Sequence, residues 1–144
     1  MDKSDIEAVI QKAQACRIAM ADDGQPYVVA VCFGYRHNTL YFHSSLRGRK
    51  MDVLRRNNRV CVQFDADTEV VGNDLPCKFS ARYRSASAFG RAFVVEDPAE
   101  KLAGLNVIMQ HYTGRDWEFP EDKVTRTAVV RIDIESMTGK SAGY

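Results

Sequence analysis

The chain has 144 residues, a length that fits one domain, and we expect a single domain over residues 1–144. Hydrophobic residues make up 45% and charged residues 27%, as in ordinary soluble globular proteins. Twenty Lys and Arg oppose 19 Asp and Glu, which leaves a formal net charge of +1. This balance argues against nucleic acid or a membrane surface as a partner, so any anion site must arise from a local arrangement.

The N-terminus and the cysteines indicate a cytoplasmic protein. The polar, acidic start of the chain is unlike a signal peptide, and no apolar run approaches membrane-spanning length. The four cysteines form no CxxC pair, and no histidine lies at zinc-ligand spacing from them. We interpret them as small core residues with reduced thiols, and we expect no metal site. They are Cys16, Cys32, Cys61 and Cys77.

The first part of the chain predicts a helix followed by short strands. Ser4 with Glu7 three residues later forms a capping-box pattern, which predicts a helix over 4–15. Asp23-Gly24 is typical of a hairpin turn. The second strand is apolar on both faces. The predicted strands span residues 16–21, 27–33 and 39–43, with turns at 22–24 and 34–38.

The second part adds longer strands and two helices. Val60, Val62 and Phe64 alternate in the way that predicts a half-buried strand. Strands are expected over 59–64, over 77–95 (one long strand, or two joined by a bend at Gly90) and over 127–134. Helices are expected over 48–57 and 98–112, and loops over 72–76 and 114–122. About six strands and three helices, joined mostly by short turns, favour an antiparallel sheet closed into a barrel.

The segment LYFHSSLRGRK, residues 40–50, has the strongest chemical pattern. A strand ends at His43, hydroxyl residues and a glycine follow, and Arg49 and Lys50 begin a helix. A helix N-terminus presents unpaired N–H groups and a positive dipole end to an anion. Together with Ser44, these residues predict a phosphate cradle, and the alternative is a solvated surface turn.

A second polar stretch interrupts the long strand over 77–95. Arg82 and Arg84 fall on one face, and Tyr83 and Ser85 fall on the other. The stretch can be the outward face of a barrel with snorkelling arginines, or it can contribute to a binding site.

Taken together, these segments resemble the pyridoxamine 5′-phosphate oxidase-like FMN-binding split barrels, and within them the nitroimidazole-resistance branch. The matching pieces occur in the order that the family has and cover most of residues 26–140. They are PYVVAVCFGY, LYFHSSLRGRKMDVLRRNNRVCVQFD, YRSASAFGRAFVVEDPAEK, HYTGRDWEFP and VVRIDIESMTGK.

The resemblance implies a mainly β fold, a six-stranded antiparallel split barrel, and a homodimer with one FMN at each end of the dimer interface. It places His43 at the flavin and the substrate pocket, where His43 is the candidate catalytic proton donor. It also places the turn 138–140 near the flavin of the other subunit. The implied FMN-binding residues are Val28, Val29, Ala30, Val31, His43, Ser44, Arg49, Lys50 and Ser85.

The resemblance also limits the substrate. The vitamin-forming oxidases have a tryptophan and an Arg/His cluster near the end of the chain, whereas this chain has Met137 and no Arg or His after Lys140. We therefore expect an FMN-dependent oxidoreductase that reduces a small electron-poor molecule, a nitroaromatic or a quinone, with NAD(P)H as the candidate electron donor. The alternatives are a flavin-binding or storage module without turnover, an oxidase with an altered substrate, and a phosphate-ligand sensor without flavin.

Four residues have less specific interpretations. His37 is expected in an exposed turn, and His111 is expected to close the 98–112 helix in a structural role. Trp117 can lie over the flavin of the partner or attach its loop to the barrel. Cys32 lies on the flavin strand that the resemblance implies, with no assigned role.

Overall fold

The protein is described here by a computed structural model that covers all 144 residues. Its seven strands form one sheet in the order β2-β1-β5-β6-β7-β4-β3, and every neighbouring pair is antiparallel. The mainly β class and the antiparallel barrel sheet are therefore confirmed. The strands are β1 (Cys16–Asp22), β2 (Gln25–Val31), β3 (Gly34–Arg36), β4 (Thr39–Ser45), β5 (Arg59–Val71), β6 (Ser80–Val94) and β7 (Thr127–Ala142).

The strand count is seven rather than six because residues 34–36 pair with β4. The register Gly34↔Tyr41 to Arg36↔Thr39 makes this segment a short edge strand, β3. The sequence predicted a turn there, since three residues are too few to display an alternating pattern. The tight turn that follows contains His37 and Asn38, both with positive φ.

Four α-helices and one 3₁₀ turn (Pro76–Lys78) accompany the sheet. The predicted cap at Ser4 is wrong: Asp2 accepts from the N–H of Asp5, and the Asp5 carboxylate accepts from the N–H of Asp2. A reciprocal Asp pair therefore replaces the expected Ser/Glu capping box. The helices are α1 (Lys3–Lys12), α2 (Arg49–Arg56), α3 (Pro98–Thr113) and α4 (Glu121–Thr125).

The barrel interior holds the main core. Alternate residues of β1, β4, β5 and β7 point inward, as in the buried-exposed alternation of β1. The buried face of α1 and the apolar residues of α2 close the barrel. The largest fully buried side chains include Phe33, Phe42, Phe64, Ile10, Ile18, Leu40, Met51 and Ile132.

The long strands extend beyond their predicted ends. β5 continues past Phe64 to Val71, and β7 continues past Ile134 to Ala142. These extensions pair with β6 but are largely exposed, so the apolar alternation that marked the strands stops before the strands do. β6 is one continuous strand whose register with β7 shifts between Phe89 and Gly90, at the expected bend.

Helix α3 packs on the outside of β3 and β4. Gly34 lies so close to α3 that an added Cβ would meet the backbone of Val107 at 2.4 Å, so only glycine fits this contact. Val95, Leu105 and Val129 form a small second core under the helix. The predicted loop over 114–122 ends in α4, which begins at Glu121 and packs beside α3.

The interpretation of the cysteines as core residues holds only for Cys16, which is buried. Cys61 is half-buried, and Cys32 and Cys77 are exposed. Burial raises the pKa of the Cys16 thiol to about 12, with a further contribution from nearby Cys32. No helix combines the length and apolar character needed to cross a bilayer.

Candidate functional site

The start of α2 has the features of an anion-binding helix terminus. Gly48 occupies its N-cap position with φ 139°, a backbone conformation that L side chains rarely adopt, and no side chain caps the helix. The first N–H groups of α2 therefore lack a side-chain acceptor. Arg49 and Lys50 are its first two residues, so two cations lie at the positive end of the helix dipole.

One carboxylate lies near this cationic end. Asp22, at the end of β1, accepts from Arg56 at 2.7 Å and from Arg49 at 3.4 Å. These two arginines, Arg56 foremost, hold the pKa of Asp22 below its usual range. Because Arg56 makes the short contact, Asp22 is bound mainly to Arg56, and the ion pair of Arg49 with Asp22 is long and exposed.

Arg49 and Lys50, the first two residues of α2, contact strands β2 and β4. The Arg49 guanidinium lies over the Tyr27 ring on β2, 4.1 Å from its centroid. The Lys50 ammonium lies 5.8 Å from the centroid of the Phe42 ring on β4, and Lys50 forms no ion pair. The structure therefore brings the cationic start of α2, the start of β2 and the end of β4 together.

Strand β2 has a free edge that can offer backbone groups to a ligand. It pairs only with β1, and it lies at one end of the sheet. In an antiparallel pair, alternate residues direct their N–H and C=O groups away from the partner strand. The tight Asp23-Gly24 turn makes Pro26 such a residue, and Val28 and Ala30 follow it with a period of two. Val28 and Ala30 are also exposed, with 60% of Val28 accessible.

The other two residues of the predicted flavin strand face the other way. Val29 and Val31 are half-buried and pack against the barrel core. The interpretation that the strand is apolar on both faces is therefore correct, but the two faces differ in what they contact.

His43 and Ser44 lie near the end of β4, opposite Val129 and Ala128 of β7. His43 is exposed, makes no hydrogen bond within the chain, and lines a cavity of about 190 Å³ between β4, α3 and α4. Ser44 is half-buried. His43 thus follows Phe42 on β4 but lies on the opposite face of the strand, where it faces a cavity that a small molecule could enter.

Ser85 lies apart from these residues within one chain. It is on β6, opposite Asp65 of β5 and Lys140 of β7, and two strands separate β6 from β2. No hydrogen bond or ion pair links Ser85 to α2 or β4. Within one chain, Tyr27 and Phe42 join the predicted site residues of α2 to β2 and β4, and Ser85 lies outside this cluster.

The arginines of the polar stretch in β6 are engaged in ion pairs. Arg82 pairs with Glu69, and Arg84 pairs with Asp67, both at 2.6 Å. Arg84, with Lys12, holds the pKa of Asp67 below its usual range. Both arginines also lie over the Tyr144 ring. These contacts favour the structural interpretation of this stretch.

His111 and Trp117 have contacts that anchor α3 and its following loop. A ring nitrogen of His111 lies 2.7 Å from the carbonyl oxygen of Ala13, and the ring packs on Phe33. The Trp117 indole N–H donates to the Thr113 hydroxyl, and the Trp117 backbone N–H donates to the side-chain oxygen of Asn106. The loop is thus attached to α3 rather than directly to the barrel. His37 is exposed in the β3–β4 turn.

The sequence of this barrel matches a known protein family. Residues 2–141 match the pyridoxamine 5′-phosphate oxidase family. The chain belongs to this family. The match covers nearly the whole sequence, so the family resemblance of the quoted motifs is confirmed.

Several solved structures superpose closely on the chain. A proposed 5-nitroimidazole antibiotic resistance protein from Bacteroides thetaiotaomicron is 38% identical, with a TM-score of 0.86 over 96% of this chain and 82% of that one. An FAD-binding protein from Mesorhizobium loti is 26% identical, with a TM-score of 0.74 over 99% of this chain and 96% of that one. A flavocytochrome from Azotobacter vinelandii shares the fold at 20% identity, with a TM-score of 0.82 over 99% of this chain and 68% of that one.

One curated relative matches a shorter stretch. Over 64 residues the chain is 32% identical to an uncharacterized protein of Rhizobium meliloti. The matched stretch is 44% of this chain and 42% of that protein, so the chain spans less than half of the relative's length.

Sequence reasoning did not find the residues that complete the site. Asp22 was assigned to a turn and Tyr27 to a strand, with no sign that either contacts Arg49. Nor did any pattern link Phe119 and Val124 to His43, because their helix and loop are distant in sequence. These contacts arise only when the barrel brings separate segments together.

Proposed function

We propose that this protein binds FMN at the start of α2 and along the free edge of β2, and that it uses the flavin to reduce a small electron-poor substrate. The observation that carries the proposal is the contact between Arg49 and Tyr27. Through it, an uncapped cationic helix start lies beside an open strand edge.

The residues at α2 fit the phosphate of FMN. A phosphate monoester needs several donors and positive charge, and here the candidates are the free N–H groups of α2, Arg49 and Lys50. Ser44 lies just before this segment on β4 and is the candidate hydroxyl donor. The long contact of Arg49 with Asp22 leaves its guanidinium able to turn toward a phosphate, while Arg56 keeps Asp22 neutralised.

The edge of β2 fits the flavin ring. The pyrimidine side of a flavin carries both carbonyl acceptors and an N–H donor. The outward backbone groups of Val28 and Ala30 supply the complementary donors and acceptors, while Val29 and Val31 anchor the strand to the core. When bound, the flavin would supply two-electron redox chemistry. The protein binds and orients it, and His43 is the candidate group that donates a proton to the reduced substrate.

The descriptions of similar proteins support a flavin as the cofactor. The Mesorhizobium loti protein is described as FAD-binding, and the Bacteroides protein is linked to 5-nitroimidazole resistance. We favour FMN over FAD because the cations are concentrated at one helix start, which suits a single terminal phosphate. The description of the Bacteroides protein supports a nitroaromatic as the substrate, and a quinone is the other electron-poor candidate.

The proposal includes a homodimer. Ser85, which the family resemblance assigns to the flavin, lies far from α2 in its own chain, so a second copy is needed to bring it to the site. An apolar row on the outer sheet face runs through Val28, Ala19, Cys61 and Phe89 in register, and a two-fold partner would cover it. A cytoplasmic setting is part of the proposal, because NAD(P)H, the candidate electron donor, is available there.

Two measurements on the purified protein test the function. A flavin absorption spectrum, followed by chromatography of the released cofactor against FMN and FAD standards, is expected to identify FMN. Bleaching by NADPH and reoxidation by a nitroaromatic would then separate an oxidoreductase from a flavin-binding or storage module. A colourless protein that does not take up FMN would contradict the proposal and favour a phosphate-ligand sensor.

A further inference from the structure

The cavity beside His43 has a mostly apolar lining, with five hydrophobic residues among eight. It lies between the end of β4, one face of α3, the loop after α3, and α4, and its volume is about 190 Å³. A cavity on the order of 150 Å³ with an apolar lining holds one benzene molecule. The space therefore suits one small aromatic ring. The lining residues are His43, Leu105, Ile108, Met109, Phe119, Lys123, Val124 and Thr127.

The polar groups of this cavity are few and carry one sign of charge. Lys123 is the only Lys or Arg in the lining, and no Asp or Glu lines the cavity. Lys123 forms no ion pair, and neither its ammonium group nor the His43 ring makes a hydrogen bond within the chain. The Thr127 hydroxyl is already used, since it donates to the carbonyl oxygen of Lys123. Lys123 and His43 are thus free to bind a ligand.

We infer that this cavity binds a single aromatic ring that carries an anionic group, and that Lys123 selects for the negative charge. The five apolar side chains contact the ring, and the ammonium of Lys123 pairs with a carboxylate on it. His43 lies on the same lining and contacts the ring or its substituent. Lys123 is therefore a specificity-determining residue, and its charge distinguishes an aromatic acid from its neutral isostere.

That this ring is the molecule reduced by the flavin rests on the function proposed above. Binding of the ring to the cavity does not depend on that function, because every lining residue belongs to α3, α4, β4, β7 or the connecting loop of one chain. The substrate class thereby narrows from any electron-poor molecule to nitro-substituted aromatic acids. Neutral nitroaromatics would bind the same cavity more weakly.

The test uses the whole 144-residue chain without and with added FMN, and two ring probes of nearly equal shape. Benzoate and benzamide are titrated while the methyl NMR signals of Leu105, Ile108 and Val124 are followed. Benzoate is expected to shift these signals and to bind about tenfold more tightly than benzamide, near the lower limit for a charge-assisted hydrogen bond. Following these methyls separates the cavity from the cations of α2, where a carboxylate could also bind.

Three variants make the test specific. Lys123→Gln should equalise the two affinities. Lys101→Gln, which removes a lysine of α3 outside the cavity, should leave the tenfold preference intact. Val124→Trp should fill the space and weaken both probes. Circular dichroism checks that each variant is folded.

Each result of the titrations either supports the inference or overturns it. A preference for benzoate that disappears in Lys123→Gln and persists in Lys101→Gln supports the inference. Equal affinity of the two probes in the unmodified chain, a preference that survives Lys123→Gln, or no shift of the cavity methyls would overturn it. Failure to bind FMN would count against the proposed function alone, because the ring probes are read in flavin-free protein.

Discussion

The Arg49 guanidinium lies 4.1 Å from the centre of the Tyr27 ring. A cation–π contact of this kind contributes about 0.5–1 kcal/mol at an exposed position. Its larger importance is geometric, because it joins the first residue of α2 to the strand whose edge is free. The two halves of the candidate flavin site, one for a phosphate and one for a ring, therefore meet within a single chain.

His43 is predicted to act in turnover rather than in cofactor binding. His43→Ala should slow reoxidation of reduced flavin by a nitroaromatic about a hundredfold, the low end for general acid catalysis. His43→Gln should keep much of the side-chain volume but not the proton donation. FMN affinity should change far less, because Arg49 and Lys50 are untouched.

Single-turnover stopped-flow measurements compare the rates of these variants. His37→Asn, a change in the exposed β3–β4 turn, serves as the control and should react like the unmodified protein. Equal rates in the unmodified protein and both His43 variants would leave His43 as a packing residue.

Phe89 is predicted to lie in the dimer interface. It is 49% exposed on the outer sheet face, in register with Cys61, Ala19 and Val28. Phe89→Glu would place a charge in the apolar row, so analytical ultracentrifugation should detect a monomer with weakened FMN binding. Phe79→Glu changes another exposed phenylalanine outside the row and should remain dimeric. An unmodified protein that is monomeric and still binds FMN tightly would contradict the dimer.

We predict that the protein loses the stabilisation from the ion pairs of Asp22 in acid. Arg56 and Arg49 lower its pKa in the folded state below the value of about 3.9 that an unfolded Asp has. The stabilisation is therefore present above about pH 4 and is lost as the pH falls through the folded-state pKa. Asp22→Asn should lower the urea midpoint at pH 7, and the difference from the unmodified protein should shrink at pH 3.

Asp74→Asn is the matched control for this measurement, because Asp74 lies in an exposed loop without an ion pair. Its midpoint should follow that of the unmodified protein at both pH values. A difference between Asp22→Asn and the unmodified protein that stays constant from pH 7 to pH 3 would show that Asp22 acts through something other than its charge.

Much of the barrel could be predicted from local patterns. The alternation of Val60, Val62 and Phe64 marked the buried part of β5, and Gly90 marked the irregularity in β6. The extended end of β7 could not be predicted in this way, because most residues beyond Ile134 pair with β6 but are exposed. Backbone hydrogen bonds to β6 hold this part of the strand, so its side chains need not alternate between apolar and polar.

In the candidate site, too, residues with a local sequence pattern could be predicted, and contacts between distant segments could not. Arg49 and Lys50 were predicted because a helix start after a Ser- and Gly-containing turn has a local signature. Their contacts with Asp22 and Tyr27 depend on how α2 packs against the β1–β2 hairpin, which no local pattern encodes. Lys123 was missed for the same reason: the predicted loop ended at residue 122, and residues 123–126 were assigned to no element, whereas the structure places Lys123 in α4.

The most direct test of the central claim compares FMN with riboflavin, which lacks the phosphate. Isothermal titration of the flavin-free protein should give an affinity for FMN about a hundredfold or more above that for riboflavin, since each of two charge-assisted contacts contributes about 1.5–3 kcal/mol. The double variant Arg49→Ala/Lys50→Ala should keep its fold and lose that preference, whereas Arg55→Ala/Lys101→Ala, with the same change in charge, should retain it. Equal affinities for FMN and riboflavin in the unmodified protein, or an undiminished preference in the Arg49/Lys50 variant, would contradict a phosphate site at the start of α2.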